Sequence, residues 1–155
     1  MTAREPVPSP GDFRFRCPIE VRFRDIDAMG HVNNAVYLTY FENARAAWVA
    51  ALDRPESSSS NLLEQFPFIL AEAHCRFLRP VRLGERVCCL VRATAVGNKS
   101  FELEYLLVSE PAGQPLTHGR STQIYFDYGT ARPAPVPPEV RRAIEKLEGR
   151  AFPAP

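Results

Sequence analysis

Residues 35–52 contain neither proline nor glycine, and Tyr37/Leu38, Phe41, Ala44/Arg45, Trp48 and Leu52 recur at three-to-four spacing. That periodicity predicts one amphipathic helix. Its charges are few, chiefly Glu42 and Arg45, which stand three apart and can pair along the helix surface. Most of the circumference is left free to be buried. A helix this apolar belongs in the grip of a sheet.

The sheet is legible further on. Residues 68–78, 86–96, 101–109 and 116–126 are rich in Val, Ile, Phe, Tyr and Thr and read as four long strands. Their joins are turn-like: Pro80 to Gly84, then Gly97-Asn98-Lys99, then Pro111-Ala112-Gly113. This predicts antiparallel neighbours in sequence order. A fifth strand precedes the helix, where Ile19, Val21 and Phe23 alternate with Glu20, Arg22 and Arg24. The order strand, helix, four strands describes an α+β domain in which a five-stranded antiparallel sheet wraps around one long central helix. Nine of the 15 prolines lie in the two ends, so 1–12 reads as a flexible tail, 13–130 as the domain, and 131–155 as a proline-rich extension with a short helix over 138–147. The serine-rich patch 57–60 reads as a surface loop, and 53–65 as a loop beside the pocket.

Charge narrows the function. With 19 Lys+Arg against 18 Asp+Glu, the net charge of +1 provides no basic field for nucleic acid. Lys99 and Lys146 are the only lysines, so an anionic ligand would meet mostly arginines. Cys17, Cys75, Cys88 and Cys89 match neither a zinc framework nor a disulfide scaffold, which predicts a reducing compartment and no metal. No apolar run suits a signal peptide or a membrane span, so the sequence reads as cytoplasmic, without a membrane partner.

The chemistry concentrates in Asp25-Ile26-Asp27-Ala28-Met29-Gly30-His31-Val32-Asn33-Asn34-Ala35-Val36-Tyr37, between the first strand and the helix. Asn33 or Asn34 can cap the helix, whose free first-turn N–H groups make a positive site for an anion or a developing oxyanion. Asp27 stands just upstream, within reach of a carbonyl polarised by those amides.

This segment resembles the 4-hydroxybenzoyl-CoA thioesterase-like hotdog proteins, whose pattern reads Asp-x-Asp-x-x-Gly-His-Val-Asn-Asn-x-x-Tyr followed by Phe-Glu-x-x-Arg. Asp25, Asp27, Gly30, His31, Val32, Asn33, Asn34, Tyr37, Phe41, Glu42 and Arg45 fit it in register. The stretches 77–85 and 97–101 are similar to the family's turn into its third strand and to the hairpin that follows. The resemblance covers roughly 20–138 and implies a hotdog fold, hydrolysis of acyl-CoA to free acid and CoA without a cofactor, and a homodimer or homotetramer with pockets at the dimer interface.

Carried over residue by residue, the resemblance makes Asp27 the carboxylate that attacks the thioester or activates water for it. It places Gly30 at a tight turn beside the ligand and makes the Asn34 amide the donor to the thioester carbonyl. His31 either hydrogen-bonds the carboxylate or water, or fixes the loop. In plant acyl-carrier-protein thioesterases a similar histidine works beside an asparagine two residues earlier, a position that is Met29 here. Val32, Asn33 and Tyr37 border the substrate, Tyr37 touching the acyl chain as well as the core. Lys99 with Ser100, or Arg79 and Arg82, are candidates for the CoA phosphates. His74 and His118 read as ordinary strand residues, and Cys88-Cys89 as inert thiols on opposite strand faces. Two other activities suit the same fold: acyl-CoA dehydration or hydration, and non-catalytic binding of acyl-CoA or acyl-carrier protein.

Overall fold

The computed structural model describes residues 6–52 and 67–155, so both predicted loop segments, 57–60 and 53–65, lie outside the described residues. The elements are β1 (Phe15–Ile19), α1 (Val36–Ala50), β2 (Phe68–Phe77), β3 (Val87–Val96), β4 (Ser100–Ser109), β5 (Pro115–Asp127), a two-residue β6 (Arg132–Pro133) and α2 (Pro138–Glu148). The sheet has the order β1-β3-β4-β5-β2, antiparallel throughout, with β6 added to β5.

Two expectations are corrected. The first strand ends at Ile19, where the sequence pattern runs on to Phe23, and Phe23 is 83% exposed. Ile19 pairs with Val87, the first residue of β3, so nothing remains beyond it to pair with. The Asp25 carboxylate then accepts the Arg22 N–H and folds Phe23–Asp25 into a 3-10 turn. The second correction concerns β2, which pairs with β5 and not with its sequence neighbour β3. Residues 78–86 make no hairpin: Leu78 and Arg79 donate to the Leu116 carbonyl, and Val81 bonds to segments around α1, carrying the chain across the end of the sheet.

Alternation along the strands separates two apolar faces. Phe101, Leu103, Tyr105 and Leu107 of β4 join Cys89, Val91 and Ala93 of β3 in the core under α1. Leu106, Val108, Cys88 and Leu90 face outward, where Phe13 and Val7 cover them. The helix buries Tyr37, Tyr40, Phe41, Ala44, Trp48 and Val49 against the inner face. Phe41 stacks on Tyr105 at 4.7 Å, and Trp48 on Phe101 at 6.0 Å.

The predicted terminal helix is present as α2, with Pro138 in its first turn and Gly149 (φ 66°) in the left-handed conformation that closes its end. It is a core element. Val140, Ala143 and Ile144 are buried, and Phe152 beyond it is buried too. Glu148 accepts the Ala93 N–H at 2.8 Å and the Trp48 indole N–H at 3.2 Å, joining α2 to β3 and α1. Burial lifts its carboxyl above the usual range, although those N–H groups and nearby arginines pull the other way.

Candidate active site

The segment between β1 and α1 is held from both ends. Asp25 is buried; its Oδ2 accepts the Arg22 N–H at 2.9 Å and the Tyr40 hydroxyl at 2.8 Å, and its carbonyl accepts the Asn33 N–H at 2.8 Å. Ile26 and Val32 form an antiparallel bridge, and the chain between them turns back on itself. Gly30 N–H donates to the Asp27 carbonyl at 3.0 Å, and Gly30 takes φ 78°, a conformation that favours glycine. The Asp27 Oδ1 accepts the Met29 N–H at 2.8 Å, with the His31 N–H at 3.5 Å. Oδ1 thus serves to hold the turn. Among the described residues nothing bonds Oδ2.

Asn33 caps the helix entry: its Oδ1 accepts the Ala35 N–H at 2.9 Å and its carbonyl the Val36 N–H at 2.9 Å. Asn34 N–H has no acceptor among the described residues, as expected for an orphan donor at a helix start. The opposite wall is the crossover after β2. Val32 N–H donates to Val81 O at 2.8 Å, Val81 N–H donates to Tyr37 Oη at 3.2 Å, and the Tyr37 ring meets Phe77 edge-on at 5.1 Å. A cleft of about 360 Å³ lies between, bordered by Asp27, His31, Asn34 and Tyr37 on one side and Phe77, Arg79 and Pro80 on the other.

A family model described as the thioesterase-like superfamily matches residues 21–144. The chain belongs to that superfamily. A thioesterase of Thermus thermophilus, solved with coenzyme A and zinc, is 35% identical, with a TM-score of 0.79 over 91% of this chain and 98% of that one. The long-chain acyl-CoA thioesterase FadM of Escherichia coli is 26% identical over 83% of this chain and 96% of its own length. The uncharacterised protein YsmA of Bacillus subtilis is 31% identical over 61% of this chain, and the match spans 60% of YsmA's length. The curled antiparallel sheet with α1 in its grip is the hotdog fold of these thioesterase structures. Thioester hydrolysis is the activity named for FadM, for the betainyl-CoA thioesterase of Pseudomonas aeruginosa and for the Thermus thermophilus protein.

On this hotdog scaffold most of the candidate residues converge. Asp27, His31, Val32, Asn34 and Tyr37 border one cleft, Gly30 shapes its turn, and Asn33 is occupied as the cap. Lys99 and Ser100 do not join them. They stand at the other end of β3 and β4, about 30 Å away along a ten-residue strand. Phe77 and Pro80 border the cleft without having been singled out, their only signal being their place in the 77–85 stretch; Met29, noted for its place two residues before His31, borders it as well. Arg79, a phosphate candidate, stands at the rim and donates to Gln114 at 2.8 Å.

The other two histidines and the paired cysteines lie outside the cleft. His74 lies 2.7 Å from Glu72, and His118 lies 2.8 Å from Glu104. Cys88 and Cys89 face opposite sides of β3, and burial raises both thiols, leaving them unreactive. Arg45 reaches Tyr105 Oη at 3.4 Å, not Glu42. Among the described residues no three His, Cys, Asp or Glu side chains gather to hold a metal ion, and no helix is long and apolar enough to cross a membrane.

Proposed function

We propose that the chain hydrolyses acyl-CoA thioesters at the cleft in front of α1, with Asp27 as the reacting carboxylate and the Asn34 amide as the oxyanion donor. One observation carries the reading: an acceptor-free backbone N–H at a helix start and a carboxylate with one free oxygen border the same cleft. The thioester oxygen takes the Asn34 N–H, where charge develops in the transition state. Asp27 Oδ2 then removes a proton from a water whose oxygen adds to the carbonyl carbon, and as the C–S bond breaks that proton passes to the departing sulfur, giving free acid and CoA thiol. Alternatively Oδ2 itself adds, the C–S bond breaks to leave an acyl-aspartyl anhydride and CoA thiolate, and a water then opens the anhydride, supplying its OH to the acid and its proton to the sulfur. The Oδ1 atom, fixed by Met29 N–H, keeps the carboxylate aimed. His31 contributes as a wall of the cleft and a partner for water, since its ring makes no bond to Asp27.

Arg79 at the rim, and Arg82 three residues further along the chain, suit the CoA phosphates. The assembly is a homodimer or homotetramer through the edge of β2: that strand pairs on one side only among the described residues, and Leu38, Leu70 and Phe77 beside it are about half exposed. Four free cysteines suit the reducing cytoplasm.

The experiment is thiol release from short, long and aromatic acyl-CoA by the wild-type protein and by Asp27→Asn. A fall of at least about 100-fold in a folded variant supports the assignment. An unchanged rate removes Asp27 from the chemistry, and no release from any substrate removes the reaction.

A further inference from the structure

Asn34, at the entry of α1, and Leu38, Phe41 and Arg45 within it recur at three-to-four spacing, so they share one side of the helix. Asn34 borders the cleft. The other three border a second hollow, of about 150 Å³, whose opposite wall is Leu70 and Ala73 of β2. The strand runs in step with the helix. Phe77, at the cleft, alternates with Cys75 and Ala73 on the inner face, and the bulge between Leu70 and Glu72 keeps Leu70 on that face. Cleft and hollow are therefore two stations along one seam, lined between them by apolar side chains.

Arg45 stands at the far station. A guanidinium N–H donates to Tyr105 Oη at 3.4 Å, which draws the side chain inward across the seam. Behind it the seam is filled: Trp48, one turn on, stacks on Phe101 at 6.0 Å, and Phe68 of β2 meets Phe101 edge-on at 4.8 Å. An alkyl chain pressed against this end takes water from a charged group and gives it no hydrogen bond in return. Leu38 and Leu70 are half exposed on the open side, the side that assembly through the β2 edge closes.

The spacing sets a length. Leu38 is four residues beyond Asn34, about 6 Å along the axis, which takes about five carbons of an extended chain counted from a carbonyl at the Asn34 N–H. The hollow of about 150 Å³ holds about five more, since a methylene fills about the space of one water molecule.

We propose that the seam between α1 and β2 receives the acyl chain and that Arg45 ends it, so that the chain selects aliphatic acyl groups of about ten carbons. The proposal rests on thioester hydrolysis at the Asp27 cleft.

The test is kcat/KM for straight-chain saturated acyl-CoA from acetyl to palmitoyl. Values should climb roughly fourfold for each methylene that enters the hollow, reach a maximum near decanoyl and fall beyond dodecanoyl. Arg45→Ala should move the maximum to longer chains by about three carbons, the space that the arginine side chain leaves. Ala73→Leu puts methyl groups into the hollow and should move the maximum to shorter chains; lying on the edge strand, it decides the matter if Arg45→Ala fails to fold. A shift in the stated direction in either folded variant supports the proposal. A maximum below hexanoyl, values that still rise at palmitoyl, or a maximum that neither variant moves overturns the proposal while leaving the reaction standing. No hydrolysis of any thioester overturns both.

Discussion

The Tyr40 hydroxyl donates to Asp25 Oδ2 over 2.8 Å, so the second turn of α1 holds the 3-10 turn that leads into the Asp27 loop. Burial, and then the acceptor Asp25, push the Tyr40 proton well above its usual range, so it stays in this bond across the physiological range. Tyr40→Phe leaves a buried carboxylate one donor short. The expected cost is about 2 kcal/mol, read as a lower midpoint in urea. Because Asp25 also carries the Asn33 N–H, turnover should fall severalfold in the same variant.

Gly119, in the middle of β5, lies directly beneath Phe41, and a Cβ there would fall on the Phe41 ring and 3.0 Å from the His74 carbonyl oxygen. Gly119→Ala must therefore push α1 off the sheet. Overpacking of this kind costs about 1–3 kcal/mol, and thermal melts should show it. Phe41→Leu in the same chain should restore part of the loss, since it removes the ring that clashes.

These two relationships mark where sequence reading ends. The four long strands and α1 were legible to within a residue or two, because alternation and helical spacing report local burial. The position of β2 was not. Turn residues between β2 and β3 suggest a hairpin, whereas the crossover is dictated by distant acceptors, Leu116 O and Tyr37 Oη. The false extension of the first strand to Phe23 has the same origin, since the pattern cannot show that β3 starts opposite Ile19. In the site, contiguous residues from Asp27 to Tyr37 were readable as a unit. Phe77 and Pro80 were not singled out, because they reach the cleft through tertiary folding alone.

Two glutamates, Glu104 buried and Glu148 half-buried, should give the stability opposite pH slopes. Burial works to raise the Glu104 carboxyl, but bonds from His118 and Arg92 outweigh it and hold it below the ordinary value of 4.5. The unfolded chain then binds the proton more readily, so this contribution is present above about 4.5 and is lost as pH falls through the folded value. Glu148 is raised, so its contribution is present below that value and lost as pH rises through the folded one. Urea midpoints across pH 3 to 8 should flatten on the acid side in Glu104→Gln and on the alkaline side in Glu148→Gln. Glu104→Gln should also cost about 3 kcal/mol at neutral pH, because it removes the buried carboxylate that pairs with the Arg92 guanidinium and shares a hydrogen bond with the His118 ring.

The oxyanion assignment separates backbone from side chain at one position. Asn34 offers its N–H to the cleft, while the capping of α1 is done by the side chain of Asn33. Asn34→Ala keeps the N–H and should hydrolyse within about threefold of wild type, whereas Asn34→Pro deletes it at a helix start where proline's fixed φ is tolerated. Removal of one such donor costs on the order of 100- to 1,000-fold in kcat. Melting curves of both variants check that α1 is intact. Equal losses in the two would assign the effect to the Asn34 side chain, and equal retention would move the oxyanion donor elsewhere along the cleft.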